Sequence, residues 1–571
     1  MRTHLVLISF FSLSLMGCNP SVEPQAAEQS ISAQQQASPT QQLDAILARS
    51  YATDEPGVTV VASRSGEVVY QAAYGMADLE LDVAMQPEHV LKIGSITKQF
   101  TAAAILRLAE QGKLTMQSKV GELLPNFHEP DLTVHQLLNH TSGLPSYTDI
   151  GGYMMGEEIR ADVDAAEIIA LTSDQPLLFV PGEDWRYSNS GYVVLGAIIE
   201  ELSGMSWHEY IAQELTQPLQ LAKTGYFNEA ELVQGRVPGY MYDDNGYTNA
   251  PYISMTQPHA AGAMYSTAKE LAQWQYALHT GQVLTDSSYA QMIDASQGLN
   301  NYAYALDIIS LRGTKMISHG GGIHGFNAFA LWLPEYELSV VALTNSMGRP
   351  MGASGTAFRI AAHLINQPFP IEKDTVSIAE AELQELVGTY QIDESTERVV
   401  FLKDGVLHSK RGEGRPYAAR YVGDGQFVFA DTLVYFEVVR DADGSVTGLN
   451  YYQLEDAEPE FSAKVSSEVT LREKVELTDE QIARLVGDYQ LQPNFVISIR
   501  ATDAGITAQA TGQSAFLVEA SATDVLFNEQ FGIVMEFELP EQGVATQLNL
   551  IQGGQNMPAP RIESSLNKED E

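Results

Sequence analysis

Hydrophobic and polar positions along the chain change regime several times. Residues 57–62 (GVTVVA) and 67–75 (EVVYQAAYG) are short runs rich in β-branched and aromatic residues, joined at Ser65-Gly66, the pattern of a β-hairpin. Residues 93–114 (IGSITKQFTAAAILRLAEQGKL) are rich in Ala, Ile and Leu, which favours helix. Apolar positions wrap nearly every face of that segment, which predicts a buried helix, with Gly112 supplying the stop. Helical patterns follow at 192–202 and 268–278, among turns rich in Gly, Pro and Asn. Strand patterns return from Met316 to about Asn345, and a helix over 357–365 closes a first large domain, 43–370. Strands and helices do not alternate regularly, which predicts an α/β domain with a mostly antiparallel sheet.

Beyond Pro370 the chain repeats itself. Leu386-Val387-Gly388-Thr389-Tyr390-Gln391 recurs as Leu485-Val486-Gly487-Asp488-Tyr489-Gln490. At the same offset of 99, Gly444, Leu449, Asn450 and Gln453 recur as Gly543, Leu548, Asn549 and Gln552. Each copy consists of short alternating runs such as 433–439 (LVYFEVV) and 532–539 (GIVMEFEL). That pattern predicts two small all-β modules, barrel or sandwich, over 376–470 and 475–565.

The N-terminus is different again. Arg2 and His4 precede eleven apolar-leaning residues, Leu5 to Leu15, too few to cross a bilayer as helix, so 1–17 reads as a signal peptide. Leu15-Met16-Gly17-Cys18 resembles the lipobox of bacterial lipoproteins. That resemblance implies lipidation of Cys18, attachment to a membrane through the lipid, and, with Asn19 following, outer-membrane sorting on the periplasmic side of the envelope. Residues 18–42 are rich in Gln, Ser, Ala and Pro and read as a flexible tether.

Composition narrows the function. The 571 residues carry 32 Lys+Arg against 73 Asp+Glu, a formal charge of −41, which argues against nucleic acid as a partner. Hydrophobic residues at 44% exclude a disordered acidic chain, and charged residues at 18% exclude a highly charged coiled coil. One cysteine leaves no internal disulfide and no Cys-rich zinc module. His208-Glu209 begins like a zinc-protease H-E-x-x-H, but Ala212 stands where the second His is required. His135 and His140 lack a third ligand at a usable spacing, so neither metal nor cofactor is expected. The absence of a G-x-S-x-G elbow argues against an α/β-hydrolase.

Three short patterns carry candidate chemistry. In Ser95-Ile96-Thr97-Lys98 the spacing of three places hydroxyl and amine on one helix face. A desolvated, neutral lysine can then serve as base for a serine that is otherwise a weak nucleophile. The helix N-terminus adds N–H donors where an oxyanion would form. A serine at this position is equally suited to capping the helix. In Tyr187-Ser188-Asn189, a tyrosine beside a lysine ammonium would have a lowered pKa and could pass protons, while Asn189 offers one acceptor and two donors; both residues also suit an ordinary turn. In Ser318-His319-Gly320-Gly321-Gly322, glycines let another backbone or a ligand approach closely. The Gly322 N–H can pair with that of Ser95, and His319 can donate to a substrate carbonyl or carboxylate.

In order and surroundings these patterns resemble the serine β-lactamase and penicillin-binding-protein superfamily, closest to its class C and D-peptidase/esterase branch. The resemblance spans roughly 43–368 and includes Leu137 to Pro145 (LLNHTSGLP), Tyr187 to Leu195 (YSNSGYVVL), Ala261 to Ala268 (AGAMYSTA) and Leu343-Thr344-Asn345-Ser346. It implies an antiparallel sheet flanked by helices with a mainly helical subdomain. It implies Ser95 as acylated nucleophile, Lys98 and Tyr187 as shared general acid/base, and Asn189, His319, Gly321 and Gly322 as substrate and oxyanion contacts. His319 stands where many relatives have the lysine of K-T-G, and His324 where the branch often has proline. The layout of one catalytic domain and two β modules resembles bacterial D-aminopeptidases. The expected function is a serine hydrolase acting through an acyl-enzyme on small peptides or esters, with D-residues. The alternatives are a small-ester esterase, a weak β-lactamase, a cell-wall D,D-carboxypeptidase, or a penicillin- or peptidoglycan-binding protein without turnover. Oligomeric state is not legible.

Overall fold

The computed structural model describes residues 38–562 except 244, 395, 456, 457, 470, 493, 494, 512 and 554. The apolar N-terminal run, Cys18 and Asn19 lie outside the described residues. Among those described, no helix is long and apolar enough to cross a membrane. Helix α1 (Pro39–Ser50) begins inside the stretch that reads as tether, because Ser38 caps it in a reciprocal box with Gln41. The polar composition hid this start, and only Leu43, Ile46 and Leu47, at helical spacing, find something to bury against.

The hairpin forms as its pattern predicts. Strands β1 (Val58–Arg64) and β2 (Glu67–Tyr74) turn at Ser65 and Gly66, both with positive φ. Helix α2 (Thr97–Glu110) is shorter than the apolar run around it: a 3-10 turn at Gly94–Ile96 precedes it, and Gly112 at φ +75° ends it. Helices α3 (Asn189–Ser203) and α4 (Ala268–His279) follow. Then come β3 (Asp307–Leu311), β4 (Thr314–Ile323), β5 (Phe326–Leu333), β6 (Leu338–Thr344) and α5 (Gly352–Leu364).

These strands form one six-stranded sheet, ordered β3-β4-β5-β6-β1-β2, with every neighbour antiparallel. Helices α1 and α5 cover one face, burying Val60, Leu331 and Val340. Helix α4 covers the other, burying Val61, Ala330 and Val341 in a core that continues into α2 and α3, where Phe100 of α2 stacks on Trp274 of α4. All seven residues of β6 are buried, which is why its sequence reads as a continuous run rather than an alternation. At about 1.5–3 kcal/mol per fully buried Val or Leu, this double cover anchors the strands that carry the site.

Each C-terminal repeat is a closed barrel of eight antiparallel strands, Gly388–Gln391 through Glu460–Ser466 and Gly487–Gln492 through Gln555–Ile562. The repeated motif has a structural cause. Tyr390 Oη donates to the Leu386 carbonyl and Tyr489 Oη to that of Leu485, each at 2.7 Å, closing the end of the short helix that leads into its barrel. A Cβ at Gly388 would lie 2.2 Å from the Ser466 carbonyl oxygen of the closing strand. The first barrel docks on the tip of the β3–β4 hairpin: Arg312 N–H donates to the Leu454 carbonyl, Gly313 N–H to that of Glu455, and Arg312 Nη1 to Tyr435 Oη.

Candidate active site

Ser95 sits in the 3-10 turn that opens α2, partly exposed, while Lys98 one turn on is fully buried. Lys98 Nζ lies 3.2 Å from Ser95 Oγ, and donates to Asn189 Oδ1 and to the Ala261 carbonyl, each at 2.8 Å. Two carbonyl oxygens accept and cannot donate, so they take both N–H bonds of a neutral amine and leave its lone pair toward the serine hydroxyl. Burial holds the Lys98 pKa well below the usual lysine value, with no carboxylate to pull it back up.

Asn189 is the first residue of α3, whose cap is Ser188: Ser188 Oγ accepts from Gly191 N–H at 3.3 Å. Tyr187-Ser188-Asn189 thus forms the entry to a helix, with Ser188 as its cap and Asn189 turned toward Lys98. Ser146 Oγ accepts from Asn189 N–H and Thr148 Oγ1 from Asn189 Nδ2, both at 3.0 Å, which points the amide oxygen at Lys98.

The Tyr187 ring centre lies 4.7 Å from Lys98 Nζ. Its phenol pKa is raised, not lowered: burial pushes it up and the hydrogen bond to Ser95 only partly offsets this. Lys98 itself is desolvated, which disfavours the ammonium that was expected to lower it. His319 also departs from expectation. Its Nδ1 donates to the Gly320 carbonyl at 2.6 Å and its Nε2 accepts from Tyr302 Oη at 2.8 Å. Burial brings its pKa down to about 4, so the ring is neutral at pH 7 with no N–H free for a substrate.

Strand β4 presses against the serine turn. A Cβ at Gly321 would lie 1.9 Å from the Ile93 carbonyl oxygen and 3.2 Å from Ser95 N; one at Gly94, which has φ +51°, would lie 2.8 Å from Gly322 N. Only glycines permit this approach, which brings the Gly322 N–H beside the turn that holds Ser95.

Several residues that frame this centre were not singled out for it by sequence reasoning. His140, in the left-handed region at φ +63°, lies beneath Tyr187 with ring centres 4.3 Å apart, and accepts from Ser188 N–H at 3.2 Å. Tyr192 and Tyr302 flank the same ring at 5.3 and 4.8 Å. His140 stands in the LLNHTSGLP block, which was the available signal; Ser146, Thr148 and Tyr302 carry none. His324 is buried and near Lys92 rather than Lys98, and burial lowers its pKa. Among the described residues no group of three or more His, Cys, Asp or Glu could hold a metal ion.

An antiparallel sheet backing a helix whose opening turn presents a serine to a buried lysine defines the class: a β-lactamase-type α/β fold with a serine–lysine centre. Residues 41–365, more than half the chain, match the family described as Beta-lactamase, and the chain belongs to that family. It is 26% identical over 365 residues to penicillin-binding protein 4* of Bacillus subtilis, covering 59% of this chain and 80% of that protein. Among solved structures it resembles a D-stereospecific amidohydrolase from a Streptomyces species, at 25% identity and a TM-score of 0.51, over 58% of this chain and 99% of that one. The octameric penicillin-binding protein homologue from Pyrococcus abyssi shares the fold over 75% of this chain and 98% of its own, at 24% identity and a TM-score of 0.53.

Proposed function

We propose that this protein is a serine hydrolase that forms an acyl-enzyme on Ser95 with small D-amino-acid amides, peptides or esters. The observation that carries the reading is the fully buried Lys98 amine, 3.2 Å from Ser95 Oγ and held by the Asn189 and Ala261 oxygens at 2.8 Å each. Ser95 Oγ attacks the substrate carbonyl carbon as its proton passes to Lys98 Nζ. The N–H groups of Ser95 and Gly322 receive the oxyanion. Tyr187 keeps its proton until the carbon–nitrogen or carbon–oxygen bond breaks, gives it to the leaving group, and is reprotonated from Lys98. Water then attacks the acyl carbon by the reverse relay. His319 braces β4 through Tyr302 instead of gripping a carboxylate, so β-lactam hydrolysis is slow. The D-preference rests on likeness to the Streptomyces amidohydrolase. Anchoring at the outer membrane through Cys18 belongs to the same proposal and rests on the lipobox-like sequence alone.

The test is intact-protein mass spectrometry with a fluorophosphonate probe and a D-alanyl ester. The wild type should gain one adduct on Ser95 and the Ser95→Ala variant none, with unchanged circular dichroism. A folded wild type that takes no adduct would favour the reading as a ligand-binding protein.

A further inference from the structure

Strand β3 ends at Asp307, opposite Ser318, whereas β4 runs on to Ile323 paired only with β5. From His319 to Gly322 the β3-side edge of β4 therefore carries no strand, beside the serine turn. Asp307 stands at the end of the strand that an extended substrate lying along this edge would continue. An antiparallel bridge joins Asp307 to Tyr302, the residue that donates to His319. The charge of Asp307 reaches both Tyr302 and Tyr187 and raises their pKa values.

Charges around the centre are few. Lys98 and His319 are held neutral by burial. Arg186 is spent on Asp149 at 3.0 Å. Among the described residues no cation or hydrogen-bond donor meets the Asp307 carboxylate, and burial pushes its pKa up to about 6. A half-buried carboxylate without a partner costs free energy that an incoming cation offsets. A bound carboxylate would add repulsion instead.

We propose that Asp307 is the counter-ion for a substrate ammonium group, so that the centre selects amides, peptides and esters with a free amine over acylated or carboxylate-bearing ones. This rests on the serine-hydrolase reading and names its substrate class. The test uses the full chain after the signal sequence, with D-alanine p-nitroanilide, its N-acetyl derivative, and p-nitrophenyl acetate as a substrate with neither charge. Wild type should prefer the free amine over the N-acetyl compound at least about tenfold in kcat/KM. Asp307→Asn should abolish most of that preference, chiefly through KM, read as the ratio of the two alanine substrates, and Asp307→Glu should restore part of it. Because the readout is a ratio of substrates, a loss of folded protein does not move it. Equal losses on all three substrates, or a wild type that favours the N-acetyl compound, would overturn the assignment of Asp307 while leaving the hydrolase standing. A wild type that forms no acyl adduct on Ser95 with the ester would overturn both.

Discussion

Buried tyrosines at the heads of the two barrels and the tyrosine beside Ser95 put one side chain to opposite uses. Tyr390 and Tyr489 each donate to a carbonyl four residues back, at the same 2.7 Å, and the bond ties a helix end to the first barrel strand. Tyr187 instead faces a hydroxyl and an amine, above a histidine ring whose Nε2 meets no partner among the described residues. A phenol whose acceptor is a backbone carbonyl is a fastener. One whose neighbours are a nucleophile and a neutral amine can act in chemistry, and burial raises its pKa in either setting.

The largest effect that would break this contrast is at the amine. Lys98→Met should lower kcat on any ester or amide by about 10³–10⁴-fold, measured by single-turnover acylation; a fall below tenfold would mean another base. Tyr187→Phe should cost about 10²–10³-fold in kcat with little change in melting temperature. The opposite signature is expected for Tyr390→Phe and Tyr489→Phe: about 1 kcal/mol of barrel stability each, read by denaturant unfolding, with turnover unchanged. If either barrel variant lost activity, the separation of fastener from reactive phenol would fail.

The subtlest prediction concerns pH. Between its lowered pKa in the folded chain and its ordinary pKa near 10.5, Lys98 is neutral when folded and protonated when unfolded. The unfolded state therefore binds more protons, and wild-type stability rises with pH across that window. Between pH 7 and pH 10 the melting temperature of wild type should gain on that of Lys98→Met, and a constant gap would mean a charged Lys98. In the same sense, acylation should slow as pH falls and Lys98 takes up a proton.

Much of this was legible in the chain. The Ser65-Gly66 hairpin, the buried run behind Ser95 and the doubled Leu-Val-Gly-x-Tyr-Gln motif all report local rules: turn chemistry, helix propensity, and strands spaced by short loops. The three-residue spacing of Ser95 and Lys98 needs only helix geometry to bring the two together. Less visible were elements whose cause is remote. The start of α1 hides in a polar stretch because its apolar side is only three residues and its partner, α5, lies some 300 residues on. His140, Ser146 and Thr148 support the site from a loop and have no periodicity to betray them.

The order of residues thus determined which groups exist and which are neighbours within one turn or one hairpin, since those distances follow from bond geometry alone. It did not determine their protonation. Whether Lys98 is an amine or an ammonium, whether Tyr187 is acidified, and whether His319 has an N–H to give depend on how much water the assembled domain removes from each group and which carbonyls replace it. Desolvation is a property of the packed molecule, and here it inverted the expected tyrosine shift and silenced the expected histidine donor.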